Sequence, residues 1–495
     1  MIFAYDICGA TYEGVARLSS VFSVGTSAIN KMDEDRVVRP RCPGDPRLLS
    51  TGQLGMWYLS QLSPAAYNVT FYDRLHGALQ VDILERALNA IVGRHEVLRT
   101  LILSPGGKPV AVRLDKWKVT IKRFDLRNTR PEDREAEAHR LLVEESSRPF
   151  NLARDLLLRA VVIQLADEDF IFLHDVPHLA FDGSSIPILL KEISSLYNAA
   201  LRGSPPQLPV LSLQYSDFAL WQHRFLQGER LEALMRYWSV QLKNCPRVKL
   251  PGQYVRPEVH SMRGARRYFV LPPDLLRRAT EFFRSAETTP YRGLCACFFV
   301  FLHAYTGQTD LCAGSPFAPR CAGIENLIGF FVNTVVLRVD LSGQLSFHDV
   351  LKHLDTVVRE AIQHSDLTFN KLVEAANPAR DPSSHALFQV NFRAPKKPYP
   401  SLELVGIRAE RTKYVDNKTS KFDLALEIET SLGDNCYFEY YTDLFSHFAV
   451  EQMVTDFIGL VRALITEPGV PLANLKMVRT IRRRLRAIGQ DGSTR

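Results

Sequence analysis

The chain reads as an α+β protein built from two lobes of similar size. Three observations point there. Candidate strands and helices intermix without the strict βαβ rhythm of a parallel sheet. The second half repeats the flavour of the first after an aperiodic, proline-bearing stretch at 244–264. A length of 495 residues, 46% hydrophobic and 23% charged, is enough for two large cores.

Residues 1–45 alternate weakly and then become charged and proline-rich, and are expected to form a poorly ordered extension. The first lobe, 46–243, opens at Leu49, where a serine-threonine pair signals a helix start. Tyr67–Leu75 alternates like a strand. Asp82–Val92 is helical, with Asp82 and Glu85 spaced as a capping box and Leu84, Ala87, Leu88 and Ile91 on one face. Strands are expected at Leu101–Leu103, Val110–Leu114 and Val119–Phe124, then a charged amphipathic helix at Pro131–Glu145. Leu156–Ala166 pairs as a hairpin with the strand that follows it. Tyr215–Leu226 and Arg230–Leu242 are helical, and 244–264 is the inter-lobe linker.

The second lobe, 265–477, begins with a strand at Arg267–Leu271 and a helix at Pro273–Arg284 with proline near its start. Arg292–Tyr305 is a heavily apolar helix. Strands at Leu311–Pro316, Phe330–Val339, Phe388–Phe392, Asp423–Glu429 and Tyr437–Thr442 intermix with helices at Ser346–Gln363 and Ala449–Ile465. Residues 478–495 form a basic tail with Arg479, Arg482, Arg483, Arg484 and Arg486.

The segment with the most chemical content is F-I-F-L-H-D-V-P-H-L-A-F-D-G-S-S, Phe170–Ser185. A buried strand gives way to a loop at His178, and Asp182 and Gly183 mark the turn into a helix whose start is signalled by Ser184 and Ser185. A histidine there can take and return a proton near neutral pH. Asp182 could orient it or tie down the loop through an arginine elsewhere, and Gly183 permits a tight turn. A structural histidine satisfied at a strand end is the plain alternative.

Net charge is +7, and no zinc-finger spacing or aromatic-basic RNA signature accompanies it, so no nucleic-acid partner is expected. The basic tail suits an acidic protein partner or a solvated helix end. Eight scattered cysteines include no C-x-x-C; neither a disulfide framework nor a metal site is implied, and a cytoplasmic setting follows. MIFAYDICGA lacks the basic start of a signal peptide, and no run of eighteen apolar residues predicts a membrane span.

Taken in order, the motifs resemble those of the condensation domains of nonribosomal peptide synthetases, over about residues 48–477. L-S-T-G-Q-L-G-M-W-Y-L is similar to the opening motif and R-H-E-V-L-R-T to the second. P-H-L-A-F-D-G (Pro177–Gly183) stands where the family has H-H-x-x-x-D-G. Y-S-D-F-A-L-W-Q, I-G-F-F-V-N-T and H-S-D-L-T-F-N-K-L-V-E through A-L-F-Q-V-N-F follow, then K-F-D-L and Y-Y-T-D-L-F. The resemblance implies two chloramphenicol-acetyltransferase-like lobes forming a V with a central tunnel. It implies transfer of an acyl group from a carrier-protein phosphopantetheine thioester to an amine or alcohol acceptor, free or carrier-bound. His178 matches the catalytic histidine. Asp182 and Gly183 match structural positions, Arg320 is the expected partner of Asp182, and Asn333 is expected beside the tunnel. The chain would bind no cofactor itself; acyl or peptidyl carrier proteins would supply phosphopantetheine in trans to a freestanding monomer.

Pro177 departs from the motif by replacing its first histidine. Proline has no N–H, so any hydrogen bond made there is lost. Gly183 argues against the family's epimerising branch, and the absence of aspartate at 177 against the heterocyclising branch. Two rivals remain: a coenzyme-A-dependent acyltransferase of the plant type, whose D-F-G-W-G is missing, and a non-catalytic domain that docks a tailoring enzyme onto a carrier.

Overall fold

The computed structural model describes residues 36–491 except 319, 380, 396–398, 431–432 and 434–435, with side chains described to 487. Two six-stranded sheets, each with its own apolar core, form the two lobes.

In the first lobe, helix α1 (Thr51–Leu62) starts at Ser50, whose side chain and that of Gln53 form a reciprocal capping box. Strand β1 (Asn68–His76) follows, then α2 (Val81–Arg94), the ribbon β2 (Thr100–Leu103) with β3 (Val110–Arg113), β4 (Lys122–Asp125) and α3 (Pro131–Ser146). The hairpin β5 (Arg159–Ala166) and β6 (Asp169–Pro177) is antiparallel, as the sequence suggests, and β6 is buried along nearly its whole length. Helices α4 (Ile186–Arg202), α5 (Tyr215–Phe225) and α6 (Gly228–Gln241) complete this half. The capping box expected at Asp82 and Glu85 does not form: Gln80 precedes α2 without a side-chain cap, and Glu85 instead accepts the Ile121 N–H at 2.9 Å.

The second lobe runs through β7 (Gly264–Phe269), α7 (Pro273–Ser285), α8 (Pro290–Thr306), β8 (Asp310–Phe317), β9 (Asn333–Asp340), α9 (Phe347–Gln363), α10 (Phe369–Ala376) and β10 (Val390–Arg393). The short strands β11 (Arg408–Ala409) and β12 (Lys413–Tyr414) come next, then β13 (Leu424–Glu427), β14 (Cys436–Tyr441), α11 (His447–Thr466) and α12 (Lys476–Asp491). Helix α8 is apolar all round because it is covered all round: α7, α9, α11 and α12 pack on it. The second sheet has the order β7-β14-β13-β10-β8-β9.

The two lobes do not divide the chain cleanly. Strands β11 and β12 leave the second half and pair with β1, extending the first sheet β11-β1-β6-β5-β4. Leu402 and Leu404 enter the first core with them. The connector between β8 and β9 also crosses, placing Ile324, Leu327, Ile328 and Phe331 in that core. In exchange, Phe225, Leu234 and Trp238 from α5 and α6 join the second core.

Several local expectations differ. Residues 36–45 of the extension pack on α5: Val38 is buried, and the Arg41 N–H donates to Asp217 at 2.9 Å. Residues 1–35 lie outside the described residues. The basic tail is an amphipathic helix as far as Asp491, burying Val478 and Ile481 while Arg484 pairs with Asp456. Its charge is therefore partly spent on the second lobe. Cys245 and Cys312 meet as a disulfide, with Cα atoms 6.9 Å apart, contrary to the cysteine reading. Their 67-residue separation carries no spacing signal; only the fold brings the linker beside β8.

Candidate active site

The seam between the lobes holds a cavity of about 910 Å³. His178 lines it, together with Asn333 and Arg320. The local chain explains why the imidazole stands there. Pro177 takes the last position of β6 opposite Asn68, and the next N–H, that of His178, donates to the Tyr67 carbonyl at 2.8 Å. A 3₁₀ turn, His178–Ala180, then lifts the chain out of the sheet. Gln53 of α1 donates to the Leu179 carbonyl at 2.9 Å and fixes that turn from the side.

The imidazole itself is asymmetric. Nδ1 is 2.7 Å from the Phe181 carbonyl oxygen, which can only accept, so Nδ1 carries the proton and Nε2 the lone pair. The Phe330 ring meets it edge-on at 5.2 Å. Burial, then the nearby positive charge of Lys421, pushes its pKa down to about 4. At neutral pH this is a neutral imidazole with one open basic nitrogen.

The Asp182 carboxylate is engaged by other groups than the imidazole. Its carboxylate accepts from the Ser185 N–H at 3.0 Å, the Ser184 hydroxyl at 2.7 Å and, across the seam, the Phe331 N–H at 2.9 Å. Arg320 reaches it at 3.2 Å, with both side chains almost fully buried. The guanidinium also donates to the Ile324 carbonyl at 3.1 Å and lies over the Phe331 ring. Ser185, read as a helix-capping hydroxyl, makes no cap; it bonds instead to both the N–H and the carbonyl of Gly329. Gly183 opens the short turn Gly183–Ser185 without left-handed backbone, so no positive φ requires glycine there.

The other motifs converge on the same connector. His95 accepts the Ile328 N–H at Nδ1 (3.2 Å) while Nε2 meets Glu192 at 3.1 Å. Tyr215 donates to the Phe330 carbonyl at 2.7 Å and contacts the Ser50 hydroxyl at 2.8 Å. A connector buried between two lobes must satisfy its backbone groups, and these side chains do so one residue after another. Asn333 donates to the Ser365 and Leu367 carbonyls at 2.8 and 2.7 Å and accepts the Phe369 N–H. It ties the start of β9 to the turn before α10 at the cavity wall.

Sequence reading missed the opposite wall. One face of the second sheet is polar: Arg266 faces Glu439 across β7 and β14, and Asn391 and Arg393 lie on β10. Lys421 and Tyr67 line the cavity with them. A signal was present, because β14 reads C-Y-F-E-Y-Y, with an acid on a face that the buried pattern requires to be covered. Among the described residues no cluster of His, Cys, Asp or Glu is placed to hold a metal, and no helix is long and apolar enough to cross a membrane.

A family model for the condensation domain matches residues 45–484. The chain belongs to the condensation-domain family. It is 36% identical over 436 residues to a linear gramicidin synthase from Brevibacillus parabrevis, covering 87% of this chain and 6% of that protein. It is 35% identical over 450 residues to phosphinothricin tripeptide synthetase PhsC of Streptomyces viridochromogenes, covering 89% and 41%. The condensation domain thus spans less than half the length of these relatives. In fold it is similar to the X-domain from teicoplanin biosynthesis (TM-score 0.79, 24% identity, 89% and 99% of the two chains). The first condensation domain of the calcium-dependent antibiotic synthetase is also similar (TM-score 0.74, 19% identity, 87% and 99%). These likenesses give the chloramphenicol-acetyltransferase-like two-lobe fold. The family is one of peptide-bond formation in secondary-metabolite synthesis.

Proposed function

We propose that this condensation domain transfers an acyl group from a carrier-protein phosphopantetheine thioester to an amine or alcohol acceptor. The observation that carries the reading is the state of His178: Nδ1 locked on a carbonyl and Nε2 open in the inter-lobe cavity. The acceptor nitrogen or oxygen attacks the thioester carbonyl, its proton passes to Nε2, and the C–S bond breaks as the new C–N or C–O bond forms. The departing thiolate then takes the proton from the imidazolium. A thiol of pKa about 8.5 leaves readily, so much of the work is orientation. Asp182, Arg320 and Asn333 act as positioning residues that hold the connector and the cavity wall. Carrier proteins bring phosphopantetheine; the chain supplies no cofactor of its own.

Acyl transfer between loaded carriers, wild type against His178→Ala, tests the reading. A neutral amine needs no prior deprotonation and leaves residual turnover, whereas an alcohol acceptor should lose about 10²–10⁴-fold.

Pro177 favours a second reading, a docking domain, and a solved neighbour is the complex of the X-domain and OxyB from teicoplanin biosynthesis. Carrier binding without transfer from any acyl carrier, by wild type or variant, would support docking instead.

A further inference from the structure

Among the described residues six arginines line the cavity, and each has a carboxylate at salt-bridge distance. Arg36 pairs with Asp366 and Arg320 with Asp182, both at 3.2 Å. Arg266 pairs with Glu439 at 3.0 Å and Arg393 with Glu427 at 3.1 Å, while Arg292 and Arg359 share Asp355. Lys421 is different. It lines the same cavity, yet among the described residues it has neither a carboxylate within 4 Å nor a hydrogen-bond partner. Its ammonium rests over the Tyr67 ring at 4.2 Å, a contact that attracts the charge but accepts none of its three N–H bonds.

A cation in a partly desolvated wall is costly unless something completes it. Among the described residues the fold supplies that completion for six lining cations and leaves the seventh open. We propose that Lys421 recognises a carboxylate carried by one of the two substrates of the condensation reaction. The ligand's identity as a substrate rests on the acyl-transfer reading; the anion site rests on the charge pattern alone. Burial, opposed by Glu439 and reinforced by Arg393 and Arg266, brings the Lys421 pKa down to about 8, so it stays mostly cationic at neutral pH. Because Lys421 lines the same cavity as His178, the carboxylate would sit within the reaction chamber. Cancelling the lysine's charge would strengthen the imidazole as a base. Recognition and proton acceptance are coupled through one pair of charges.

The carboxylate has two possible sources, and binding to the whole chain separates them without any chemistry. Calorimetry compares L-alanine with L-alaninamide for the acceptor, and succinyl- with butyryl-aminopantetheine, non-reacting amide analogues, for the donor. In one arm the acid should bind about tenfold or more tighter than its neutral partner, as one charge-assisted hydrogen bond provides. That preference should vanish in Lys421→Met and persist in Lys421→Arg, which keeps the charge and reports on folding. Equal binding of acid and neutral probe in both arms overturns the proposal, as does a preference that survives in Lys421→Met. An intact preference in a protein that transfers no acyl group would retire the catalytic reading and leave the anion site standing.

Discussion

A histidine whose pKa lies below its ordinary value is in its basic form over a wider pH range. With His178 brought down to about 4, the rate should rise through about pH 4 and then stay level across neutrality. Removing the Lys421 charge should move that acid limb upward, because the lysine disfavours the imidazolium; a pH–rate profile of Lys421→Met reads the shift directly. Arg320 belongs to a different class of residue. Truncating it to alanine leaves the Asp182 carboxylate buried beside an emptied site, and unfolding by denaturant should show a loss of about 3–5 kcal/mol. An Asp182→Asn, Arg320→Ala double variant should lose less than the two single losses added, since the stranded charge is gone.

The connector between β8 and β9 is the element on which the motifs close. Gly329 lies so near Tyr215 that a Cβ would stand 2.2 Å from its ring. Gly329→Ala should therefore push the connector off its anchors, costing about 1–3 kcal/mol and lowering transfer, measured by denaturant midpoint and turnover together. This element also marks what sequence could reveal. The capping box of α1 was within reach because Ser50 and Gln53 are neighbours on one helix end. The meeting of His95, Ser185 and Tyr215 on Ile328–Phe330 was not, because nothing in spacing says that a second-half loop enters the first core. Likewise His174, four residues before His178, pairs with Asp73 in full burial, and Thr412 completes the group from the far half. The sequence reading placed no function on that pair. Lys421 stands inside the matched K-F-D-L motif with no role of its own in the sequence reading, since unpaired charge is a property of the fold and not of the letters.

At the scale of the whole molecule, each core contains residues from both halves of the chain. Neither lobe can then lose its core without disturbing the other. Scanning calorimetry should give one transition, with calorimetric and van't Hoff enthalpies in agreement, where two independent lobes would give two. The strand pair β11 and β12 sharpens the point, since Glu410 and Val415 donate their N–H groups to Arg74 and Thr70 of β1. An engineer wishing to graft the C-terminal half of a relative onto this N-terminal half would import a foreign edge for the sheet that carries the imidazole. A workable chimera must exchange both the returning arm, 399–415, and the connector between β8 and β9 separately from the rest of the second lobe, so one cut between the halves does not suffice.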